Sequence, residues 1–257
     1  MQAYPIGLQL YTVRELIQDP ADWRRVVAGL PGMGYDGIEV GGTKPFASAR
    51  EMRAFLDDHG LRTSAYWAQP TPESIVAISD AAATLGTRHL VGCWGPEQMK
   101  TIEEARKTAA AFQKMAELAQ AHDLTMCYHN HDWEFVQYAD GRYGWDVLME
   151  EAPALHAQID LYWASNFGAV DVQALVRRYA SRTPLLHVKD GPLVKDRPNT
   201  AVGAGAMDIP ACVRAADPNV LKWLVVELDR CGDGEDMLAI VLQSARYLRI
   251  TGLGARR

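Results

Sequence analysis

Short apolar runs and amphipathic segments alternate eight times from one end of this chain to the other, and few folds accept that pattern. The spacing predicts strands over 6–10, 37–40, 62–66, 89–92, 125–129, 157–160, 185–188 and 224–227. Between them it predicts helices over 20–30, 47–59, 71–85, 102–122, 144–151, 171–181, 209–216 and 233–250. Each strand with its helix takes roughly thirty residues, the size of a βαβ step. Punctuation agrees, since Asp19-Pro20 offers a capping side chain followed by proline at the first helical position, and His59-Gly60 reads as a helix stop. Eight such units imply one parallel sheet with crossover helices, whose simplest closed form is an α/β (β/α)₈ barrel. With no Ser/Pro/Gly-rich linker along its 257 residues, the chain is expected to form a single domain over 1–257. An open doubly wound sheet is the alternative, weakened because no G-x-G-x-x-G follows the first strand.

The fifth strand runs into Leu124-Thr-Met-Cys-Tyr-His-Asn-His-Asp-Trp-Glu-Phe135. With a period of two, Cys127, His129 and His131 share one face while Met126, Tyr128 and Asn130 share the other. Two imidazoles at a strand end serve as metal ligands or a general base, or fill a polar corner as hydrogen-bonded partners. The other strand ends carry Gln9 and Tyr11, Glu39, Tyr66 and Trp67, Trp94, Asp160, His187 with Lys189, and Glu227 with Asp229. A lone carboxylate there reads more readily as a cap or half of an ion pair. Asp160, His187 and Glu227 from three consecutive strands form a stronger pattern, because converging carboxylates resist ionisation unless a cation sits among them. Imidazoles mixed with carboxylates suit Mn²⁺, Co²⁺, Fe²⁺ or Zn²⁺ better than Ca²⁺, with Mg²⁺ left open.

The net charge of -6 lacks the basic excess of a protein that neutralises many phosphates, so no nucleic-acid partner is expected. Cys93, Cys127, Cys212 and Cys231 are far apart and form no CxxC pair, which points to reduced thiols and a cytoplasmic setting. No leader-like segment opens the chain and no apolar run reaches the eighteen or so residues that span a bilayer, so a soluble protein without a membrane partner is expected.

Taken together the strand-end segments resemble the sugar phosphate isomerase/epimerase family of xylose isomerase-like TIM barrels. The resemblance rests on Gly-Leu-Gln-Leu-Tyr-Thr-Val-Arg at the first strand, Gly-Tyr-Asp-Gly-Ile-Glu at the second and Tyr-His-Asn-His-Asp-Trp-Glu-Phe at the fifth. It continues through Asp160-Leu-Tyr-Trp, Leu-His-Val-Lys-Asp190 and Val-Val-Glu-Leu-Asp229. It implies a divalent metal, Mn²⁺ first among the candidates, held at the ends of the fifth to eighth strands by His129, Asp160, His187 and Glu227. His129 departs from the family's usual glutamate, and His131 or Glu134 are the alternatives for that place. Val202-Gly-Ala-Gly-Ala206 departs from a Gly-Glu-Gly common in relatives.

On this resemblance the metal would hold adjacent carbonyl and hydroxyl oxygens of a sugar or keto-sugar, and proton abstraction would give an enediolate. The implied catalytic set is His131 as base, Glu227 as its alternative, Lys189 against oxyanion charge and Glu39 as proton donor or hydroxyl partner. Trp67, Trp94, Trp163 and Glu134 are the implied substrate contacts. The expected activity is a sugar isomerase or epimerase; the alternatives are a dehydratase or keto-glycoside lyase on the same scaffold, or a non-catalytic barrel subunit that binds sugar. An endonuclease IV-type repair enzyme shares the barrel, but the acidic balance argues against it. The expected partner is a small-molecule sugar, with a homo-oligomer left open.

Overall fold

The computed structural model describes residues 2–255. Within them eight parallel strands pair in chain order, and the last returns to the first to close a barrel. They are β1 Ile6–Gln9, β2 Gly37–Val40, β3 Arg62–Trp67, β4 His89–Gly92, β5 Thr125–His129, β6 His156–Asp160, β7 Leu185–Val188 and β8 Trp223–Val226. The expected bounds of β2, β4, β5 and β7 hold to the residue. β1 stops one residue early because Leu10 opens a 3₁₀ segment, Leu10–Leu16, that no periodicity announces.

The outer layer is α1 Pro20–Met33, α2 Ala49–Asp58, α3 Ile75–Leu85, α4 Ile102–Gln120, α5 Gly144–Glu151, the single-turn α6 Leu161–Ala164, α7 Val172–Arg178, α8 Ile209–Arg214 and α9 Met237–Ile250. Side-chain caps set most of the starts. Asp19 accepts from the amides of Ala21 and Asp22, Thr101 from that of Glu104, and Asp236 from that of Leu238. α3 begins four residues later than expected because Thr71 and Ser74 bond each other in a turn ahead of it. No helix among the described residues is long and apolar enough to cross a membrane.

Alternation along each strand sorts the side chains into two cores. Ile6, Leu8, Ile38, Leu90, Met126, Ile159, Leu186 and Leu224 point outward and join the helices in the main hydrophobic cluster. Ala65, Val91, Cys127, Leu185, Trp223 and Val225 point inward and form a separate plug with Trp67 packed on it. The lower end is shut by Trp223, whose indole lies under the Arg62 guanidinium at 4.6 Å. Only glycine fits at position 37, since a Cβ there would meet the backbone oxygen of Arg62 and come within 2.9 Å of the Trp223 ring. Above the plug the inward positions turn polar, and Gln9, Glu39, His129, Gln158, Asp160 and His187 are all buried.

Gly37→Ala is therefore expected to cost about 1–3 kcal/mol of stability through overpacking against backbone that cannot withdraw. Urea denaturation checks it, with a lower midpoint and an unchanged slope; a midpoint equal to the parent's would mean that the space is not filled as described.

Candidate metal and active site

β5 to β8 are consecutive neighbours in the barrel, so residues at their carboxyl ends meet. His129, Asp160, His187 and Glu227 are all buried, and each offers a ligand atom within 4.8 Å of the others. Asp160 is locked by Asn130 on the opposite face of β5, which accepts from the Asp160 amide at 2.9 Å and donates to its carbonyl at 3.2 Å. Its Oδ1 caps α6 by accepting from the Trp163 amide. Its Oδ2 is buried without a hydrogen bond of good geometry and lies 3.1 Å from Lys189 Nζ, a charge contact.

Lys189 is fully buried, with Nζ 3.1 Å from Glu227 Oε2 and 2.8 Å from Asp229 Oδ2 as well. Burial alone would lower its pKa, but Asp160, Glu227 and Asp229 override it and raise the net value, so the ammonium stays charged. His187 sits between two carboxylates, Nε2 at 2.9 Å from Glu39 Oε1 and Nδ1 at 3.0 Å from Glu227 Oε2. Burial pulls its pKa down, yet the two glutamates push it up to about 10. Glu227 is driven up by burial and more strongly down by Lys189 and His187, with a net value well below the ordinary carboxylate range. His129 is held well below its ordinary pKa by burial, then by its neighbours His187 and His131, and is therefore neutral.

These charges do not balance. Four carboxylates, Glu39, Asp160, Glu227 and Asp229, face one ammonium and one imidazolium, which leaves two negative charges uncompensated. A divalent cation would supply what is missing. A neutral imidazole, a carboxylate oxygen without an aligned donor and two further ligands within 4.8 Å of one another form a donor set that can hold one.

The remaining expected site residues divide. His131 lines a cavity of about 1090 Å³ together with His129, Glu227 and Trp67, walled by Tyr11, Trp23 and Tyr66. Its ring stacks on Trp133 at 4.0 Å, and burial lowers its pKa to about 4. Trp163 borders a smaller cavity of about 340 Å³ on the other side of Asp229, its ring 5.2 Å from Lys189 Nζ. Three residues lie elsewhere than expected. Glu134 is turned away from the cavity to the outer face of β5, accepting from Tyr128 Oη at 2.9 Å and from the His131 amide at 2.8 Å, and burial pushes its carboxyl up to about 8. It steadies the turn that carries His131 and is not in the ligand cluster. Trp94 is held by Gln69, to which it donates at 2.8 Å, and packs edge-on against Phe112 rather than lining the cavity. Glu39 lies in the floor with both oxygens taken by protein donors, so it has no free edge for a substrate hydroxyl.

Sequence reasoning passes over Gln158, which bonds both His129 and Glu39; its position two residues before Asp160 on the same face was the available signal. Asp190 is a second omission. Its buried carboxylate accepts from the amides of Gly191, Gly203, Gly205 and Met207, and so ties both ends of the loop after β7. In Val202-Gly-Ala-Gly-Ala206 this knot explains Gly205, where a Cβ would collide with that carboxylate, whereas Gly203 has a φ of +86° and a Cβ there would run into the Tyr247 ring.

A closed parallel barrel whose carboxyl mouth gathers two histidines and two acids beneath a deep cavity is the architecture of a barrel with an enzyme-type site. The chain belongs to the xylose isomerase-like TIM barrel family, whose model matches residues 30–250. Among solved structures it is similar to a sugar phosphate isomerase/epimerase from Parabacteroides distasonis, at 24% identity and a TM-score of 0.79, over 99% of this chain and 96% of that one. It is also similar to an L-ribulose 3-epimerase, at 17% identity and a TM-score of 0.72, over 97% of this chain and 94% of that one. A 3-keto-D-glucoside 4-epimerase from E. coli aligns at 17% identity and a TM-score of 0.68, over 96% of this chain and 99% of that one. At these identities the likeness is one of fold. No curated protein matches the chain by sequence.

Lys189→Met removes the ammonium from among three carboxylates and is expected to destabilise the metal-free protein by about 3–5 kcal/mol, the cost of leaving buried charge uncompensated. Chemical denaturation in chelator and in excess Mn²⁺ checks this, with part of the loss regained in Mn²⁺. Unchanged stability in chelator would show that Lys189 does not hold the carboxylates together.

Proposed function

We propose that the chain is a divalent-metal-dependent isomerase or epimerase of a sugar or keto-sugar. The observation that carries this reading is the convergence of His129, Asp160, His187 and Glu227, of which His129 and Glu227 line a cavity that His131 also borders. Two imidazoles with two carboxylates favour Mn²⁺ over an all-oxygen cation such as Ca²⁺, with Co²⁺, Fe²⁺, Zn²⁺ and Mg²⁺ as alternatives. When bound, the ion supplies Lewis acidity toward the substrate's carbonyl, which makes the neighbouring C–H acidic.

The chain's own groups move the proton. His131 is neutral and borders the cavity, with its backbone fixed by Glu134 and its ring by Trp133, so it can accept a proton without rearranging. Glu227 borders the same cavity as a second proton carrier. Two carriers favour isomerisation or epimerisation, because one removes the proton and the other returns one on the opposite face or at the adjacent carbon. Lys189, buried between Glu227 and Asp229, offsets negative charge that develops on the substrate. Trp67 offers an apolar ring face to sugar C–H groups in the larger cavity, and Trp163 offers one from the smaller cavity beyond Asp229. All four cysteines are free thiols, which supports a reducing, cytoplasmic setting.

Asp160→Asn and His187→Ala are each expected to lose bound metal by elemental analysis while keeping the parent circular dichroism; full stoichiometry in both would remove the ligand set. His131→Ala is expected to keep the metal and to slow deuterium uptake from heavy water beside the carbonyl of a bound keto-sugar by about 10²–10⁴-fold. Exchange at the parent rate would exclude His131 as the base.

A further inference from the structure

We propose that Glu39 and Gln158 are positioning residues that fix which nitrogen each histidine presents to the metal: His129 through Nε2 and His187 through Nδ1. This rests on the metal-site reading above and follows from which groups can donate and which can only accept.

Glu39 projects from β2 into the barrel floor and is approached from four other strands. Gln9 Nε2 of β1 lies 2.6 Å from its Oε1, Trp67 Nε1 of β3 donates to the same oxygen, His187 Nε2 of β7 lies 2.9 Å from it, and Gln158 Nε2 of β6 lies 2.6 Å from Oε2. Indole N–H can only donate. Gln9 is oriented by its other end, because its Oε1 accepts from the Tyr11 amide at 3.2 Å, so its NH₂ is the end that meets Glu39.

A carboxylate facing an amide at 2.6 Å requires the amide's NH₂, so the carbonyl of Gln158 must face the other way, toward His129 Nδ1 at 3.1 Å. A carbonyl accepts only, so His129 Nδ1 carries the hydrogen and the lone pair is on Nε2. On His187 the nitrogen against Glu39 is Nε2, which keeps its hydrogen, and Nδ1, turned to the ligand set beside Glu227, is the nitrogen that gives up its hydrogen when the ion binds. The two rings thus present opposite nitrogens, and one carboxylate dictates both, directly for His187 and through Gln158 for His129. A ligating imidazole needs an acceptor for the N–H of its second nitrogen, which fixes both tautomer and ring orientation. Gln158 is that acceptor, which makes histidine workable at position 129.

The test uses the full chain labelled with ¹⁵N-histidine and long-range ¹H–¹⁵N spectra, with ring signals assigned through His129→Gln and His187→Gln. In the metal-free protein His129 is expected to carry its hydrogen on Nδ1. Added Cd²⁺ is expected to shift Nε2 of His129 and Nδ1 of His187. Glu39→Gln, which keeps the volume but points NH₂ or carbonyl at the wrong partners, is expected to lower Cd²⁺ affinity about 10–100-fold with unchanged circular dichroism; Glu39→Asp, which keeps the acceptor, should recover part of it. A hydrogen on Nε2 of His129, Cd²⁺ shifts on the opposite nitrogens, or full affinity in Glu39→Gln overturns this inference alone. If Cd²⁺ shifts neither ring, the metal-dependent reading fails and takes this inference with it. The unaltered protein supplies the tautomer result even if a variant does not fold.

Discussion

Four carboxylates stand at the mouth of the barrel with too few cations to balance them, and the rest of the structure is arranged around keeping them there. Removing an ion from water costs several kcal/mol unless partners replace the solvent. Lys189 answers three of the acids at 2.8–3.1 Å and His187 bridges two. Uncharged donors complete Glu39: Gln9, Gln158 and the Trp67 indole. The residual negative charge lies around the place where His129, Asp160, His187 and Glu227 meet, a cluster that could hold a cation.

The barrel makes the arrangement affordable by keeping the charges off its lower half. Val91, Cys127, Leu185 and Val225 fill the interior beneath the polar ring, and Trp223 with Arg62 closes the base. Water therefore reaches the acids from the cavity side, where Tyr11, Trp23, Tyr66 and Trp67 narrow the approach. Low polarity below and restricted access above strengthen each remaining electrostatic contact.

Much of this was legible in the chain. Period-two alternation placed His129 and His131 on one face, and apolar runs ending in Asp160, His187 and Glu227 marked strand ends that converge. Contacts between side chains from remote strands were not legible. Glu39 meets Gln158 and His187 across separations of 119 and 148 residues, and no local pattern encodes that. Glu134 looked like a site acid because it follows His131 closely, but the 3₁₀ turn Trp133–Phe135 carries it to the side of Tyr128, where a tyrosine hydroxyl satisfies it. Trp94 is likewise engaged by remote partners, donating to Gln69 and packing edge-on against Phe112.

Asp190 has a different kind of consequence. By gathering amides from residues 191 and 203–207 it seals the base of the excursion after β7, so the stretch in between, including Lys195 and Arg197 beside the smaller cavity, hangs from a closed loop root. The stretch is also tied back to the barrel at a second point, where Asn199 accepts from the Asp229 amide and donates its own amide to the Arg230 carbonyl. Only the residues between Gly191 and Asn199 are therefore free to lengthen, shorten or be exchanged and so reshape the smaller cavity, while the two anchors keep Asp229 in the ring of acids.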